Sequence, residues 1–539
     1  MPATAFRRTP GVYVTELSAF PPSVVGIQTA VPAFIGYTEK AEVSGKPVLG
    51  KAIKIGSLAD YQAIFGAGFR PEYKITEVTE AAEINNGQYD FQVADPTSGT
   101  PVLKYYRLEK VSASEFNLYN SLRLFYANGG GTAYIVSVGT YRDKATGSLN
   151  PITETGLIAG LDVIKEQVGP TMLVVPDAVL LPNDGVTHPK WQSAAFKNVA
   201  QAMLRQSAEL KDRVSILDVY GSQYTTKDDL EKIIAHFRTD VGEVGLSYGM
   251  SYFPFLETTV VPITEITYKN IETGTATTRL KEVLGWQRED LYGPATGDEA
   301  TARAIAVQAD IDAIPTAPDV NKLNQNLTTS LPLMLDIERV ILAKNQMLPP
   351  SGAMAGVVTY VDATRGVWNA PANLTLSSVV RPTYKLSGEE QGDLNVPVDG
   401  KAVDAIREFT GRGTVVWGAR TLDGNSNDYR YIQVRRTLIY IEQSIKAALD
   451  PFVFAANDGN TWTTVVSMLS NFLQGLWSQG GLMGATASEA FSVECGIGST
   501  MTGQDSLDGY MVVQVTLQMI RPAEFIELTF KQKMEGVGG

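Results

Sequence analysis

The sequence predicts a multidomain α/β protein, in which an α/β domain is followed by an α+β core, and three observations support this. With 539 residues, the chain is too long for one simple core. Between residues 171 and 255, three apolar runs alternate with two amphipathic helix patterns, which is typical of a parallel sheet with helical crossovers. Beyond residue 426, two long helix patterns are followed by two strand patterns.

Composition divides the chain into segments. We predict an N-terminal arm and linker strand (1–40), a β-rich outer domain (41–150), an α/β domain (151–425) with a polar, acidic insertion at about 257–330, and a C-terminal core domain (426–539) that ends in an arm (524–539). The outer domain and the insertion are polar and rich in turn formers, so we expect them on the surface. Within the α/β domain, KAVDAIREFTGRGTVVWGARTL indicates a helix and then a strand, with Asp399 as helix cap and Gly411 as helix stop.

The C-terminal core has the most regular patterns. In VRRTLIYIEQSIKAALDPF, apolar residues recur every three or four positions and predict one helical face: Val434, Leu438, Ile441, Ile445 and Ala448. A second helix pattern, TWTTVVSMLSNFLQGLWSQGG, ends at paired glycines. MVVQVTLQMI then alternates apolar and polar residues, which predicts a strand with one covered face.

Both ends of the chain also have strand patterns. In FIELTFKQKM, the apolar residues Ile526, Leu528 and Phe530 alternate with polar ones. GVYVTEL, near the start, contributes the strand candidates Val12, Tyr13, Val14 and Thr15. An unpaired strand edge invites association with other chains, and an intramolecular hairpin across RPAE is the alternative for the C-terminal strand.

Composition also excludes several classes of partner. A formal charge of -13 argues against general affinity for nucleic acid or anionic membranes, which need clustered Lys and Arg. The single cysteine, Cys495, allows no intrachain disulfide. The start lacks the apolar segment of a secretion signal, and residues 19–36 hold three prolines and make a poor membrane span. We therefore expect a soluble protein that is made in the cytoplasm.

Candidate chemistry is sparse. His188 and His236 are the only histidines and lie far apart in sequence, so the sequence predicts no metal site, and no glycine-rich motif predicts a cofactor. Asp177 and Asp218 each follow an apolar run near the carboxyl edge of the predicted sheet, where open α/β sheets bind ligands. An α/β hydrolase-like enzyme using this pair is one alternative. Loop or helix-cap carboxylates explain the two residues more simply.

Five stretches of the chain, taken in sequence order, carry a family resemblance. They are TPGVYVTEL at 9–17, PPSGAMAGVVTYVDATRGVWNAPAN at 349–373, GRGTVVWGARTL at 411–422, RRTLIYIEQSI at 435–445 and FLQGLWSQGGLMGATASEAFSVECG at 472–496. Together they resemble the contractile tail sheath proteins of phage tails and phage-tail-like injection particles. The resemblance is dense from 349 to 539 and weak in the middle of the chain.

This resemblance implies a subtilisin-like α/β central domain without protease function, and a structural protein rather than an enzyme. It implies arms that leave the subunit and add strands to a small sheet of neighbouring copies. The expected partners are further copies in a helical homopolymer, an inner tube protein, and baseplate and terminator or cap proteins. Such a sheath contracts from a trapped long state and drives the tube through a target envelope. SAFPPSVVG and RPAE are then the expected hinges, and a non-contractile β-rich shell or adhesin protein is the remaining alternative.

The region from 401 to 440 is basic within this acidic chain. It holds seven basic residues against four acidic ones. We hypothesise that Arg435, Arg436 and Lys446, which lie off the apolar stripe of their helix, face an acidic tube. A solvated helix face is the alternative.

Overall fold

The computed structural model describes residues 24–98, 101–111, 115–185, 190–271 and 275–528. Within these residues the chain forms two compact units. The first, named the α/β unit, comprises residues 28–439 and 522–528. The second, named the hairpin unit, comprises residues 24–27 and 440–521.

Nineteen strands occur in the described part of the chain. In chain order they are β1 Pro32–Thr38, β2 Glu42–Val43, β3 Lys46–Pro47, β4 Ala52–Ile55, β5 Tyr73–Val78, β6 Phe91–Asp95, β7 Val102–Lys110, β8 Ala133–Thr140, β9 Met172–Val174, β10 Val214–Asp218, β11 Gly249–Phe253, β12 Leu256–Thr258, β13 Met347–Leu348, β14 Leu374–Thr375, β15 Val379–Pro382, β16 Asp404–Phe409, β17 Gly413–Val416, β18 Phe491–Cys495 and β19 Val513–Leu517.

Sixteen α-helices connect these strands within the same described residues. They are α1 Leu58–Phe65, α2 Ala81–Asn85, α3 Leu118–Ala127, α4 Glu154–Lys165, α5 Ala194–Leu210, α6 Leu230–Asp240, α7 Thr275–Tyr292, α8 Ala302–Ala313, α9 Val320–Ser330, α10 Pro332–Asn345, α11 Ser351–Arg365, α12 Gly388–Asn395, α13 Ile432–Leu449, α14 Gly459–Ser478, α15 Ala487–Ala490 and α16 Gly503–Leu507.

The α/β unit is built on a nine-stranded sheet with the order β14-β17-β16-β11-β10-β9-β1-β8-β4. The six strands from β16 to β8 run parallel. β17 and β4 are antiparallel to their neighbours. The series β9, α5, β10, α6, β11 confirms the strand and helix alternation predicted from the sequence, and with it the α/β class.

Side chains of the parallel strands alternate between two cores. Ile35 and Leu173 pack on one face of the sheet with residues of α4, α5 and α6. Their neighbours Phe34 and Val174 pack on the other face with residues of α3 and α11. Because both faces are covered, these strands are apolar along their whole length.

Two glycines of α11 allow it to approach α3 closely. A Cβ atom added to Gly352 would lie 2.5 Å from the backbone oxygen of Ser121, and one added to Gly356 would lie 2.5 Å from that of Phe125. No real Cβ tolerates such a distance to backbone atoms. Both positions therefore require glycine for packing, with no need for an unusual backbone angle.

The two segments predicted to be outside fold around a shared core. The three-stranded sheet β5-β7-β6 packs with α7, α8, α9 and α10, and the core between them includes Tyr106, Leu284 and Met334. The predicted β-rich outer domain at 41–150 is divided, because β4 and β8 belong to the nine-stranded sheet. One boundary therefore needs correction: the short pair β2-β3 and the part around β5 to β7 lie outside that sheet, and the rest of the segment does not form one separate β domain.

The helix predicted in KAVDAIREF is wrong. Residues of this stretch form β16, which turns at Gly411 (φ +77°) into β17. Asp399 caps no helix, and its carboxylate accepts a hydrogen bond from the Lys401 backbone N–H at 3.1 Å.

The hairpin unit packs helices against a small sheet. Val465, Met468 and Leu469 of α14 are buried, and Val493 of β18 and Val515 of β19 pack against them. Along β19 the apolar residues are half-buried and the polar residues between them are exposed. This confirms the alternation predicted for MVVQVTLQMI.

Candidate assembly site

The two-stranded sheet of the hairpin unit has an unpaired outer edge on each strand, as far as the chain is described. β18 and β19 pair in antiparallel register, from Phe491 opposite Leu517 to Cys495 opposite Val513. The inner edges are used by this pairing, so the outer edges keep N–H and C=O groups that can bond a further strand. Such edges are the sites at which proteins accept a strand from another chain.

Residues 525–528 form an exposed apolar segment near the end of the chain. The side chains of Phe525, Ile526 and Leu528 are 75%, 78% and 74% exposed. Residues 522–528 belong to no strand, so the hairpin with β19 across RPAE does not form in the described residues. Burial of each side chain is worth about 1.5–3 kcal/mol, which favours a partner surface for this segment. The predicted strand residues Val12, Tyr13, Val14, Thr15 and Phe530 lie outside the described residues.

Glu524, directly before this segment, is held by three side chains of the α/β unit. Its carboxylate accepts hydrogen bonds from Arg420 Nε at 3.0 Å and Arg420 Nη2 at 2.6 Å. It also accepts bonds from Asn395 Nδ2 at 2.6 Å and the Tyr431 hydroxyl at 3.0 Å. Burial opposes the charge of Glu524, but the donors led by Arg420 outweigh burial and lower the pKa of the carboxyl. Glu524 is therefore an ionised anchor inside RPAE, a stretch that the sequence predicted to be a hinge.

Arg435 and Arg436, hypothesised to face an inner tube, are buried in the α/β unit with exposures of 6% and 4%. The Arg435 guanidinium lies over two rings, 3.7 Å from the centroid of Tyr429 and 4.3 Å from that of Tyr248. Arg436 donates two hydrogen bonds to the Asp362 carboxylate. The hypothesis is wrong for both arginines, because both guanidinium groups are buried against side chains of their own subunit.

Lys446 is exposed, and its orientation toward a tube stays a prediction. The rest of the hairpin unit before Arg521 has the opposite charge. Residues 447–520 contain no Lys, Arg or His and six carboxylates: Asp450, Asp458, Glu489, Glu494, Asp505 and Asp508. A partner that binds this stretch through charge would present basic groups to it.

Asp177 and Asp218 serve the fold. The Asp177 carboxylate accepts backbone N–H bonds from Tyr37 at 2.9 Å and Asn117 at 2.6 Å. The Asp218 carboxylate accepts bonds from the backbone N–H and the hydroxyl of Ser351, the first residue of α11, at 2.8 and 2.6 Å. Burial raises the pKa of Asp177 to about 6 and that of Asp218 to about 7. Both carboxylates tie neighbouring elements together, as the loop or cap alternative predicted.

Two searches of the described residues found nothing further. No group of three or more His, Cys, Asp or Glu side chains there is arranged to hold a metal ion. Among the helices of the same residues, none combines the length and the apolar character that crossing a membrane requires.

Known proteins resemble the chain in sequence. Residues 425–533 match the family model for the phage tail sheath C-terminal domain. The tail sheath protein of Vibrio phage KVP40 is 22% identical over 139 residues, which are 26% of this chain and 21% of that protein. The tail sheath protein of Burkholderia phage BcepMu is 27% identical over 144 residues, 26% of this chain and 30% of that protein. The matched segment thus spans less than a third of either curated relative.

Similarity of fold extends over the whole chain. The sheath of an extracellular contractile injection system, the PVC sheath complex in its contracted state, matches with a TM-score of 0.57 at 25% identity. That match covers 98% of this chain and 99% of the other. Residues 425–533 thus match the tail sheath family in sequence, and the chain as a whole is similar in fold to the subunit of a contractile sheath.

Proposed function

We propose that this chain is the structural subunit of a contractile sheath, which polymerises helically around an inner tube and shortens to drive that tube through a target envelope. Its partners are further copies of itself, the tube protein, and the baseplate and terminator proteins at the two ends. The subunit is made in the bacterial cytoplasm and becomes part of a phage tail or a phage-tail-like particle.

One observation carries the proposal. The same chain holds an acceptor, the edges of β18 and β19 that no described strand pairs with, and a donor, the exposed apolar segment 525–528. Burial in a neighbour's sheet would pair the backbone of the segment and cover its side chains. The N-terminal residues 12–15, which have a strand pattern, are proposed as a second donor.

A donor and an acceptor at two different sites of one chain give head-to-tail contacts. Contacts of this kind build an open helical filament when the rotation between subunits does not close a ring. Strand exchange links each copy to its neighbours while the folded units stay intact. The subunits can then move as rigid bodies during contraction, and the energy is stored in the assembled sheath, with no need for a nucleotide.

Negative-stain microscopy of particles purified from producing cells tests this function. We expect striated tubes in a long and a short form. Discrete particles with no tubes, or tubes of a single length under all triggering conditions, would contradict the proposal. The first result would favour a globular enzyme, and the second a non-contractile shell.

Leu528→Pro tests the donor. Proline removes one ladder donor and one apolar contact without shortening the chain. We expect a folded monomer that forms no tubes. Leu528→Val is the matched control, because it keeps the backbone N–H and an apolar side chain that suits a strand, and it should still assemble. Normal tubes from the proline variant would overturn the donor role of this segment.

A further inference from the structure

The C-terminal end of the chain returns to a unit that it has already left. The chain leaves the α/β unit within α13, builds the hairpin unit from residue 440 to 521, and rejoins the α/β unit at Pro522. Only three residues, 522–524, separate this return from the exposed segment 525–528. The point at which that segment leaves the subunit is therefore decided within these three residues.

A sharp change in environment occurs at Glu524. Its side chain is 20% exposed, whereas the next residue, Phe525, is 75% exposed. Four hydrogen bonds reach the Glu524 carboxylate, two of them from the forked guanidinium of Arg420. Paired bonds of this geometry between two charged groups fix orientation as well as distance. The backbone is thus held at 524 and released at 525.

Arg420 is itself fixed to the nine-stranded sheet. Its backbone N–H donates to the Asp404 carboxylate of β16 at 2.8 Å, and its Nη1 donates to the Gly424 oxygen at 3.1 Å. The guanidinium is only 4% exposed. β16 pairs directly with β11 of the parallel core. A continuous chain of polar contacts therefore joins Glu524 to the nine-stranded sheet.

From these contacts we propose that Glu524 is the anchor of the C-terminal arm: it fixes the chain at the point where the exposed segment 525–528 begins, and it directs the pull of a neighbouring subunit into the nine-stranded sheet. Without the anchor, that pull would act through residues 518–524 on the end of β19 and peel it from β18. This inference rests on the proposed strand donation, and it adds the residue that positions the donor.

The test places one four-residue insertion, Gly-Ser-Gly-Ser, on either side of the anchor. Inserted between Arg521 and Pro522, it lengthens the connection before Glu524 and leaves the departure point of the arm unchanged. Inserted between Glu524 and Phe525, it adds slack to the arm itself. We expect the first variant to form tubes at the concentration that the unmodified protein needs. The second should need about tenfold more protein, because a loosened donor segment loses more conformational entropy on binding. Equal effects of the two insertions would overturn the proposal, since the arm would then hang from the hairpin unit.

Glu524→Gln provides a second test. In this background, the insertion before Pro522 should become as harmful as the insertion after Glu524. Glu527→Gln is the matched control, because it makes the same change at an exposed carboxylate in the arm. It should leave the difference between the two insertions unchanged. If the insertions still differ in the Glu524→Gln background, Glu524 is not the anchor.

A readout on the monomer separates this inference from the proposed function. A spin label on Ala523→Cys, in a Cys495→Ser background, reports the mobility of the backbone beside the anchor. We expect restricted motion that is released by Glu524→Gln and unchanged by Glu527→Gln. Restricted motion in a protein that never forms tubes would support the anchor and contradict the sheath function. A label that is mobile from the start would overturn the anchor even if tubes form.

Discussion

Arg436 and Asp362 form an ion pair that is almost fully buried in the α/β unit. Arg436 Nη1 donates to Asp362 Oδ1 at 2.8 Å and Nη2 donates to Oδ2 at 2.5 Å, and the two side chains are 3% and 4% exposed. Arg436 Nη2 also donates to the Thr29 backbone oxygen at 3.0 Å. The pair therefore joins α13 to α11 and to the residues that precede β1.

Removal of Arg436 should destabilise the folded subunit. Arg436→Ala leaves the Asp362 carboxylate buried without a partner, and we expect a loss of about 3–5 kcal/mol in the free energy of unfolding. Chemical denaturation of the monomer measures it. Lys446→Ala, at an exposed site of the same helix, is the control and should change little. A normal monomer that fails only in assembly would indicate that Arg436 acts between subunits.

Asp218 should make stability depend on pH. Burial raises the pKa of its carboxyl to about 7, from about 3.8 in the unfolded chain, so the folded state binds the proton more tightly. The stabilising contribution is fully present below about pH 4 and is lost as pH rises to about 7, with a slope of at most about 1.4 kcal/mol per pH unit. Asp218→Asn keeps a side-chain oxygen that can accept hydrogen bonds from Ser351, but the amide does not titrate. We expect urea denaturation to reveal a flatter pH profile in this variant between pH 5 and pH 7.

The control for this profile is Asp336→Asn, which changes an exposed carboxylate on α10. It should leave the slope of the unmodified protein intact. A slope that survives in Asp218→Asn would assign the pH dependence to other buried carboxyls, such as Glu338, whose pKa burial raises to about 7.

Gly356 should not tolerate a methyl group. In Gly356→Ala the new Cβ meets the Phe125 backbone oxygen, so α11 and α3 must separate, which costs about 1–3 kcal/mol. Gly285→Ala, inside α7, meets no atom within 4 Å and should stabilise the protein by about 0.4–1 kcal/mol. Thermal unfolding of both variants, compared with the unmodified protein, measures the contrast. Equal effects would mean that the helices do not meet at Gly356.

Deletion of residues 525–539 should spare the monomer and abolish the tubes. Residues 525–528 are exposed and belong to no strand of their own subunit, and the deletion retains the Glu524 anchor. We expect unchanged circular dichroism and an unchanged melting temperature. A marked fall in the melting temperature would mean that the end of the chain completes the fold of its own subunit.

The sequence correctly predicted those strands and helices whose apolar residues recur at a regular spacing. The alternation around Val513 and Val515 and the strand and helix series from β9 to β11 are confirmed, because period-two and period-3.6 patterns record which side is covered. The helix predicted across Ala405 is wrong, although AVDAI has apolar residues at helical spacing. This stretch pairs with the parallel edge of β11, and tertiary pairing outweighs the local pattern.

Polar contacts between residues far apart in the chain could not be predicted from sequence patterns. The position of Arg436 off the apolar stripe indicated a solvated or tube-facing side chain, but Asp362 of α11 and the Thr29 backbone oxygen enclose it. The partners of Glu524 lie 129, 104 and 93 residues earlier, at Asn395, Arg420 and Tyr431. No local pattern marks a carboxylate whose donors come from three distant segments.

The position of the only cysteine gives the native protein an intrinsic chemical reporter. Cys495 ends β18, whose outer edge pairs with no strand of the described residues, and burial raises the pKa of its thiol above the usual range. A strand added beside β18 would shield this thiol further, so its alkylation should slow as subunits accept a neighbour's arm. The rate at which an alkylating reagent adds mass to the protein would then measure the fraction of subunits whose β18 edge has accepted a neighbour's strand. No residue has to be substituted for this measurement.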